Sequence, residues 1–316
     1  MNKLFLMIAA TVLTALLFSG CGFNAGSATL ITERNIPEFN SVSVCTSSAQ
    51  IEFVPSDQYG LEIFMPDRFK PTWEVVNGRL TILGETRSFF FDWNVRPHQY
   101  YVKVFYPTEA RFSDITLKAS SGDIRLPRVD VNDLSLTCSS GNVNANAENS
   151  AYVSIDVSSG DISFAGSGDN IRLTTKSGSI ESDITNSGKI YADTSSGDIR
   201  INNTGDVATL LNANTSSGSI RVNGGIWRDA IAETRSGGVK ITGELLGNTF
   251  VSTSSGSVVL DVLGDPSHYG YDLTPRSGSI HWDGQKMEKP ARSSGSFDNH
   301  ISANTSSGSI RVDFTN

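Results

Sequence analysis

A short phrase recurs ten times along the chain: Ser-Gly, most often preceded by a further serine, then a small residue and then Ile or Val. Its glycines are Gly122, Gly141, Gly160, Gly178, Gly197, Gly218, Gly237, Gly256, Gly278 and Gly308, spaced by 19, 19, 18, 19, 21, 19, 19, 22 and 30 residues. A nearly fixed period with one turn glycine is typical of stacked β-repeats. The spacing therefore predicts an all-β fold, a single-chain β-solenoid (β-helix-like) of about ten coils of ~19 residues.

Apolar and polar residues alternate on both sides of each glycine. Apolar residues stand two positions after it, as Ile124 and Ile199 do, and five positions before it, as Leu117 and Ala192 do. This period of two predicts two half-buried strands per repeat, with each copy lying on the one before it. The third position before the glycine also faces inward, and its threonines should donate to backbone carbonyls, as buried hydroxyls generally do. These threonines are Thr175, Thr194, Thr215, Thr234, Thr253 and Thr305.

The residue after the glycine is acidic only in alternate coils. Asp123, Asp161 and Asp198 are separated by Asn142 and Ser179. Stacking in register brings equivalent positions together, and like charges at such positions repel. The alternation supports an in-register stack and argues against a continuous acidic ladder for metal ions.

Residues 1–21 read as a lipoprotein signal peptide. Lys3 precedes an apolar run from Leu4 to Phe18, and Phe18-Ser19-Gly20-Cys21 resembles a bacterial lipobox, which implies lipidation of Cys21. An ordinary signal peptide or an uncleaved anchor is the alternative, although the run is short for a membrane-spanning helix. Residues 22–28 are small and polar and would form a tether.

Residues 29–112 differ from the repeats and are predicted to form an N-terminal β region that continues or caps the solenoid, which fills 113–316. Predicted strands are Leu61 to Met65, Trp73 to Val76, Arg79 to Leu83 and Tyr100 to Tyr106, with a two-residue hairpin at Asn77-Gly78. A degenerate early copy carries Ala49 in the glycine position. Gly284 to Ser296 should form a loop or hairpin projecting from the last coils.

Two cysteines remain besides Cys21. Cys138 is predicted to point inward and Cys45 outward, so a disulfide between them is not expected. The net charge of −8 argues against affinity for nucleic acids.

The repeated phrase resembles the bacterial β-strand-repeat lipoprotein family catalogued as "putative adhesins", a domain of unknown function. The opening Ile36-Pro37-Glu38-Phe39-Asn40-Ser41-Val42 and the strand ending at Tyr106-Pro107 fit the same family. The resemblance implies a β-solenoid at the cell envelope. It supplies no catalytic residues.

The first candidate site is aromatic. Phe89, Phe90, Phe91 and Trp93 are followed closely by Tyr100, Tyr101, Phe105 and Tyr106. Exposed aromatic side chains stack on sugar rings or anchor partner proteins. The alternative is that these residues seal the open end of the solenoid.

The second candidate site is basic. Arg200, Arg221 and Lys240 stand three positions after the glycine in consecutive coils and should face outward. They would form a stripe for an anionic polymer. The alternative is a solvated surface in which Asp193 and Glu233 neutralise them.

Nothing in the sequence specifies catalysis or a cofactor. His98, His268, His281 and His300 lack metal-ligand spacing, and no phosphate-binding or nucleophile motif is present. The sequence therefore favours a lipid-anchored protein of the cell envelope that contacts an envelope or extracellular protein or glycan, in an adhesin-like, structural or stress-sensing role. The alternative is a glycan-active enzyme on the same scaffold.

Overall fold

The computed structural model describes residues 28–69, 71–84, 100–205 and 207–315. All strands in these residues belong to one continuous hydrogen-bonded sheet, so the all-β prediction is correct. In chain order the strands are β1 (Ala28–Arg34), β2 (Ser41–Thr46), β3 (Gln50–Ser56), β4 (Gly60–Pro66), β5 (Thr72–Val76), β6 (Arg79–Leu83), β7 (Tyr101–Pro107), β8 (Arg111–Ser121), β9 (Ile124–Ser140), β10 (Val143–Ser159), β11 (Ile162–Ser177), β12 (Ile180–Ser196), β13 (Ile199–Asn203), β14 (Val207–Ser217), β15 (Ile220–Ser236), β16 (Val239–Ser255), β17 (Val258–Leu263), β18 (Tyr269–Ser277), β19 (Ile280–Trp282), β20 (Gln285–Met287), β21 (Ala291–Arg292), β22 (Asn299–Ser307) and β23 (Ile310–Thr315). Short 3-10 turns occupy Asp67–Phe69 and Pro266–His268.

Each coil has two faces joined by a turn at one edge and a bend at the other. We call the residues after a turn glycine the leading face and those before the next glycine the trailing face. β10 runs from one turn to the next and pairs in parallel with β9 and β11 on both faces. The predicted apolar columns lie between the faces: Ile124, Ile199, Leu117 and Ala192 are all buried.

The turn glycines are required by the closeness of the coils. Gly197 has φ +150°, and a Cβ on it would lie 2.0 Å from the carbonyl oxygen of Gly178 in the preceding coil. The threonine column is confirmed beside these turns. Thr194 donates to the same Gly178 carbonyl at 2.9 Å, and Thr215 donates to that of Gly197 at 3.0 Å.

Cys138 replaces threonine in this column. Its thiol donates to the Gly122 carbonyl at 3.3 Å, and burial raises the pKa of Cys138 to about 11. Cys45 is a half-buried free thiol on β2, so the two cysteines face as predicted.

The N-terminal region both continues and caps the stack. β2 and β3 form a further coil, and Gly122 packs against the carbonyl of Ala49, which confirms Ala49 as the degenerate turn residue. β6 and β7 pair in parallel with β2 and β3 on the outer side of this coil. Antiparallel strands then extend the N-terminal end of the sheet: β4 pairs with β7, β1 with β4, and β5 with β6. The predicted hairpin is present, with φ 51° at Asn77 and 75° at Gly78.

At both ends of the stack the order of the coils differs from the prediction that each copy lies on the one before it. At the C-terminal end, β22 lies between β16 and β18, and β23 lies between β17 and β19. The last coil in sequence is therefore the second from the end in space. The long intervals before Gly278 and Gly308 allow this, because the chain skips one coil position and then returns to fill it.

The segment from Gly284 to Ser296 begins with a hairpin, as expected, but the expectation that it projects from the last coils is wrong. β20 pairs antiparallel with β19, and β21 pairs antiparallel with β18, so the segment folds back along the terminal coil. Trp282 is only half-buried there and packs against Tyr271 and Phe314, with ring centroids 4.4 and 5.0 Å apart. Among the described residues, no helix has the length and apolar character needed to cross a membrane.

Candidate functional site

The core of the predicted aromatic site, Phe89, Phe90, Phe91 and Trp93, lies outside the described residues, and so does Cys21. The described aromatics of that cluster pack into the N-terminal end. Tyr106 is buried against Phe53 and Phe112, with ring centroids 5.8 and 5.7 Å apart, and burial raises the pKa of Tyr106 to about 12. Tyr106 therefore seals the end of the stack.

The remaining described aromatics of the cluster are half-buried on the leading face. The ring of Tyr101 lies 5.7 Å from that of Phe64. Burial, with a smaller effect of Glu62, raises the pKa of Tyr101 to about 12. Phe105 packs under the guanidinium of Arg34, 5.8 Å from the ring centroid. Tyr101 and Phe105 alternate with the buried Val102 and Val104, so their rings lie on the outer surface of β7 and not inside the stack.

The basic stripe is assembled as predicted. Arg221 is the register neighbour of Arg200 on one side and of Lys240 on the other. The partners differ from those expected: Asp198 binds Arg200 and Asp261 binds Lys240, each at 2.8 Å. Asp193 and Glu233 lie instead on the trailing face, because they precede their turn glycines.

Arg221 is thus the exposed centre of the stripe. It forms no ion pair with any residue that the structure describes, whereas both neighbouring cations have one. The stripe presents one uncompensated guanidinium rather than three adjacent free cations. A single exposed charge is a weak determinant for an anionic polymer.

The residues after the turn glycines form a ladder that sequence reasoning missed. The side-chain oxygen of Asp123 accepts from the backbone N–H of Asn142 at 3.0 Å, and Asn142 in turn accepts from Asp161 at 2.9 Å. Asp161 accepts from the backbone N–H of Ser179 at 2.8 Å, and Asp198 accepts from the backbone N–H of Ser219 at 2.9 Å. Each of these carboxylates satisfies a backbone donor at the turn edge, which is a structural role.

The described residues contain no group of three or more His, Cys, Asp or Glu side chains that could hold a metal ion. His281 contacts the hydroxyl of Ser279 at 3.4 Å near the C-terminal end.

A polar groove crosses four coils at the bend edge, and its volume is about 300 Å³. We call it the bend-edge groove; it is lined by Asn132, Asn149, Ser150, Ala151, Ser167, Gly168, Asp169, Asn186 and Ser187. Pairing between β9 and β10 is interrupted here, since Glu148 pairs with Asp130 and the next pair joins Tyr152 to Asp133. Asn149 takes a left-handed conformation within this interruption, with φ 57°.

The sequence held one signal for this groove. The interval from Gly160 to Gly178 is 18 residues, one shorter than the intervals on either side of it. The short coil, β11, supplies Ser167, Gly168 and Asp169 to the lining. A shorter coil recedes at the bend, and this recess becomes the groove.

The comparisons agree with this architecture. The profile of the family described as Toastrack DUF4097 matches residues 39–224 and 211–313. None of the curated proteins compared with the chain matches it.

Several solved structures are similar. A "putative adhesin" from Bacteroides fragilis is 14% identical with a TM-score of 0.39, covering 90% of this chain and 96% of its own. A "putative lipid binding protein" from Parabacteroides distasonis is 19% identical with a TM-score of 0.40, covering 92% of this chain and 98% of its own. A "putative cell adhesion protein" from Clostridium sporogenes is 10% identical with a TM-score of 0.22, covering 91% of this chain and all (100%) of its own. At such low TM-scores these similarities carry no inference about function.

Proposed function

Since the chain belongs to the Toastrack DUF4097 family of stacked β-repeats, we propose that it is a lipid-anchored protein of the cell envelope that acts by contact and not by catalysis. Its partner would be an envelope or extracellular protein or glycan. The role would be adhesin-like, structural or stress-sensing, on the extracytoplasmic side of a membrane.

The observation that carries this proposal is the use of the outward carboxylates. Asp123, Asp161 and Asp198 each accept a backbone N–H from the next coil, and Asp198 also binds Arg200. A glycan-active enzyme needs paired carboxylates facing one cleft, one of them able to donate a proton. In the bend-edge groove Asp169 is the single carboxylate among the described lining residues. This arrangement favours contact over the alternative of an enzyme.

The anchor is proposed from the sequence. Two or more acyl chains on Cys21 would hold the protein stably, which a single chain does not. β1 begins at Ala28, seven positions after Cys21, and a fully extended tether of that length spans at most about 25 Å. The N-terminal end of the stack would then lie near the bilayer. Metabolic labelling with palmitate tests this, because Cys21→Ser should abolish the label.

The aromatic residues Phe89, Phe90, Phe91 and Trp93 remain the proposed contact of this N-terminal end. In the sequence they fall between β6 and β7, the strands of the outermost parallel coil. A photo-crosslinker at position 90 in living cells tests the contact. The matched control is position 163, because Ser163 is exposed on the leading face of β11.

A discrete partner captured from position 90 and not from position 163 supports the proposal. Equal and diffuse labelling from both positions would contradict it.

A further inference from the structure

The bend-edge groove contains polar groups that the fold does not use. Ser187 is 6% exposed, and its hydroxyl has no hydrogen-bond partner among the described residues. The side chains of Asn186 and Asp169 are exposed and also form no hydrogen bond within the described part of the chain. Buried polar groups in folded proteins are almost always paired, so the unpaired hydroxyl favours a polar occupant of this groove.

The other polar groups of the lining hold the groove in shape. The Ser150 hydroxyl donates to the Val131 carbonyl at 2.8 Å. Asn149 donates from its backbone to Ser167 at 3.1 Å and from its side-chain amide to Asp130 at 3.2 Å. The groove is therefore preformed, which lowers the entropic cost of binding a ligand.

The charge of the groove restricts the ligand. Its described lining residues include one carboxylate, Asp169, and no lysine or arginine. Asp133 and Glu148 lie beside it, the nearby Arg128 is held by Glu148 at 2.8 Å, and Lys189 follows the lining residue Ser187 by two positions. Charges of both signs flank the groove, and its one lining carboxylate disfavours an anionic polymer, while a lining of amides and hydroxyls does not suit an apolar ligand.

An exposed tyrosine lies at the rim of the groove. Tyr152 follows the lining residue Ala151 and is 45% exposed. Its ring forms no aromatic or cation–π contact with the described residues, in contrast to Tyr191, which lies under Arg172 at 4.9 Å. A free aromatic face packs well against the C–H face of a sugar ring, and amide and carboxylate side chains bond pairs of sugar hydroxyls.

We infer that the bend-edge groove binds an uncharged segment of a polysaccharide, with Tyr152 against a sugar ring and Asn186 and Asp169 on its hydroxyls. This inference rests on the contact function proposed above and gives it a second surface, at the bend edge of β9 to β12. The groove volume of about 300 Å³ is at the lower end of the range for ligand sites.

The test is titration of the whole chain, followed by saturation-transfer NMR, with four tetrasaccharides. Maltotetraose and mannotetraose represent neutral external polysaccharides, N-acetylchitotetraose represents the glycan of a cell wall, and tetragalacturonate is the acidic control. We expect at least one neutral tetrasaccharide to bind with a dissociation constant on the order of 1 mM, and tetragalacturonate to bind at least tenfold more weakly, about the factor for one unfavourable charge contact. The neutral tetrasaccharide that binds most tightly shows whether the ligand is an external polysaccharide or the glycan of a cell wall.

Variants assign the binding to the groove. Tyr152→Ala and Asn186→Ala alter exposed side chains and should each weaken binding by about fivefold, the effect of one lost contact. Ala151→Trp should fill the groove and abolish binding. Phe297→Ala, which removes an exposed aromatic at the C-terminal end (37% exposed), is the matched control and should bind as the parent chain does.

The site is overturned if none of the neutral tetrasaccharides binds, if tetragalacturonate binds best, or if Tyr152→Ala and Asn186→Ala leave the affinity unchanged. If no neutral tetrasaccharide binds but position 90 captures a partner, the groove is rejected as a sugar site and the contact function remains supported. Sugar binding without capture from position 90 would support the groove and reject the N-terminal contact.

Discussion

Replacing Gly197 with valine should destabilise the stack strongly, because this position touches the backbone of the neighbouring coil. A Cβ would lie 2.0 Å from the Gly178 carbonyl oxygen and 2.5 Å from its carbon, where ordinary contacts are longer than about 3.4 Å. The coils would have to separate by more than an ångström at the turn edge. That shift disturbs the two hydrogen bonds that join these coils at the turn, from Gly178 N–H to the Ser196 carbonyl and from Ile180 N–H to the Asp198 carbonyl, both at 2.9 Å.

The cost can be worked from these contacts. Two buried backbone hydrogen bonds contribute about 1 kcal/mol each, and a side chain at φ +150° adds about 1–3 kcal/mol of strain. Gly197→Val should therefore lower the free energy of unfolding by about 3–5 kcal/mol, a large fraction of the stability of a typical domain. Urea unfolding monitored by circular dichroism measures this change.

Asp198→Asn is the matched control at the adjacent position. Asparagine keeps the side-chain oxygen that accepts from Ser219 N–H at 2.9 Å. It loses the ion pair with Arg200, whose side chain is 42% exposed, so the loss should stay below about 1 kcal/mol. Equal losses of stability in the two variants would refute the assignment of Gly197 to a tight inter-coil turn.

Three further outcomes follow from the core. Thr234→Val should lower the free energy of unfolding, measured by chemical denaturation, by about 1–2 kcal/mol, because it removes the 2.9 Å hydrogen bond from the Thr234 hydroxyl to the Gly218 carbonyl. Val157 shows that valine fits this column, so the loss should come from the hydrogen bond; no loss of stability would show that the bond is absent. Iodoacetamide at pH 8 should modify Cys45 much faster than Cys138, since burial raises the pKa of the Cys138 thiol to about 11; equal rates would contradict its burial. Burial also raises the pKa of Tyr106 to about 12, against about 10 in the unfolded chain, so the folded state retains a proton that the unfolded state loses and stability should fall between about pH 10 and 12. Tyr106→Phe should reduce that alkaline decline and leave the part due to Tyr101, whose pKa burial also raises to about 12. An unchanged pH profile would show that the Tyr106 phenol is not buried.

The repeat could be predicted in detail because its physical requirements are local. Turn glycines, inward threonines and alternating apolar positions each follow from period and parity, as Gly197 and Thr215 illustrate. Hydrogen-bond partners across coils do not follow from parity. Sequence reasoning placed Asp123 outward but could not show that it accepts from Asn142 in the next coil.

The ends and the groove were beyond sequence reasoning for a different reason. The 30-residue interval before Gly308 indicates an irregularity but does not specify which coil neighbours which. The groove depends on how far a coil one residue shorter recedes at Gly168, and on the pairing interruption at Asn149. Both are consequences of packing between coils, which the residue pattern within one coil does not contain.

The side-chain ladders, the basic stripe and the interleaved ends all require one specific order of coils in register. An engineered disulfide tests it most directly. Ser255 and Ser307 are register neighbours, and Ser307 is also the neighbour of Ser277. Adjacent parallel strands are about 4.8 Å apart, within disulfide reach, whereas two strand spacings, about 9.6 Å, are not.

In a Cys45→Ala background, Ser255→Cys with Ser307→Cys should oxidise to a disulfide in the folded protein. Ser255→Cys with Ser277→Cys should remain reduced under the same conditions. The opposite result would mean that the coils stack in sequence order and that the C-terminal coil is not inserted between its predecessors.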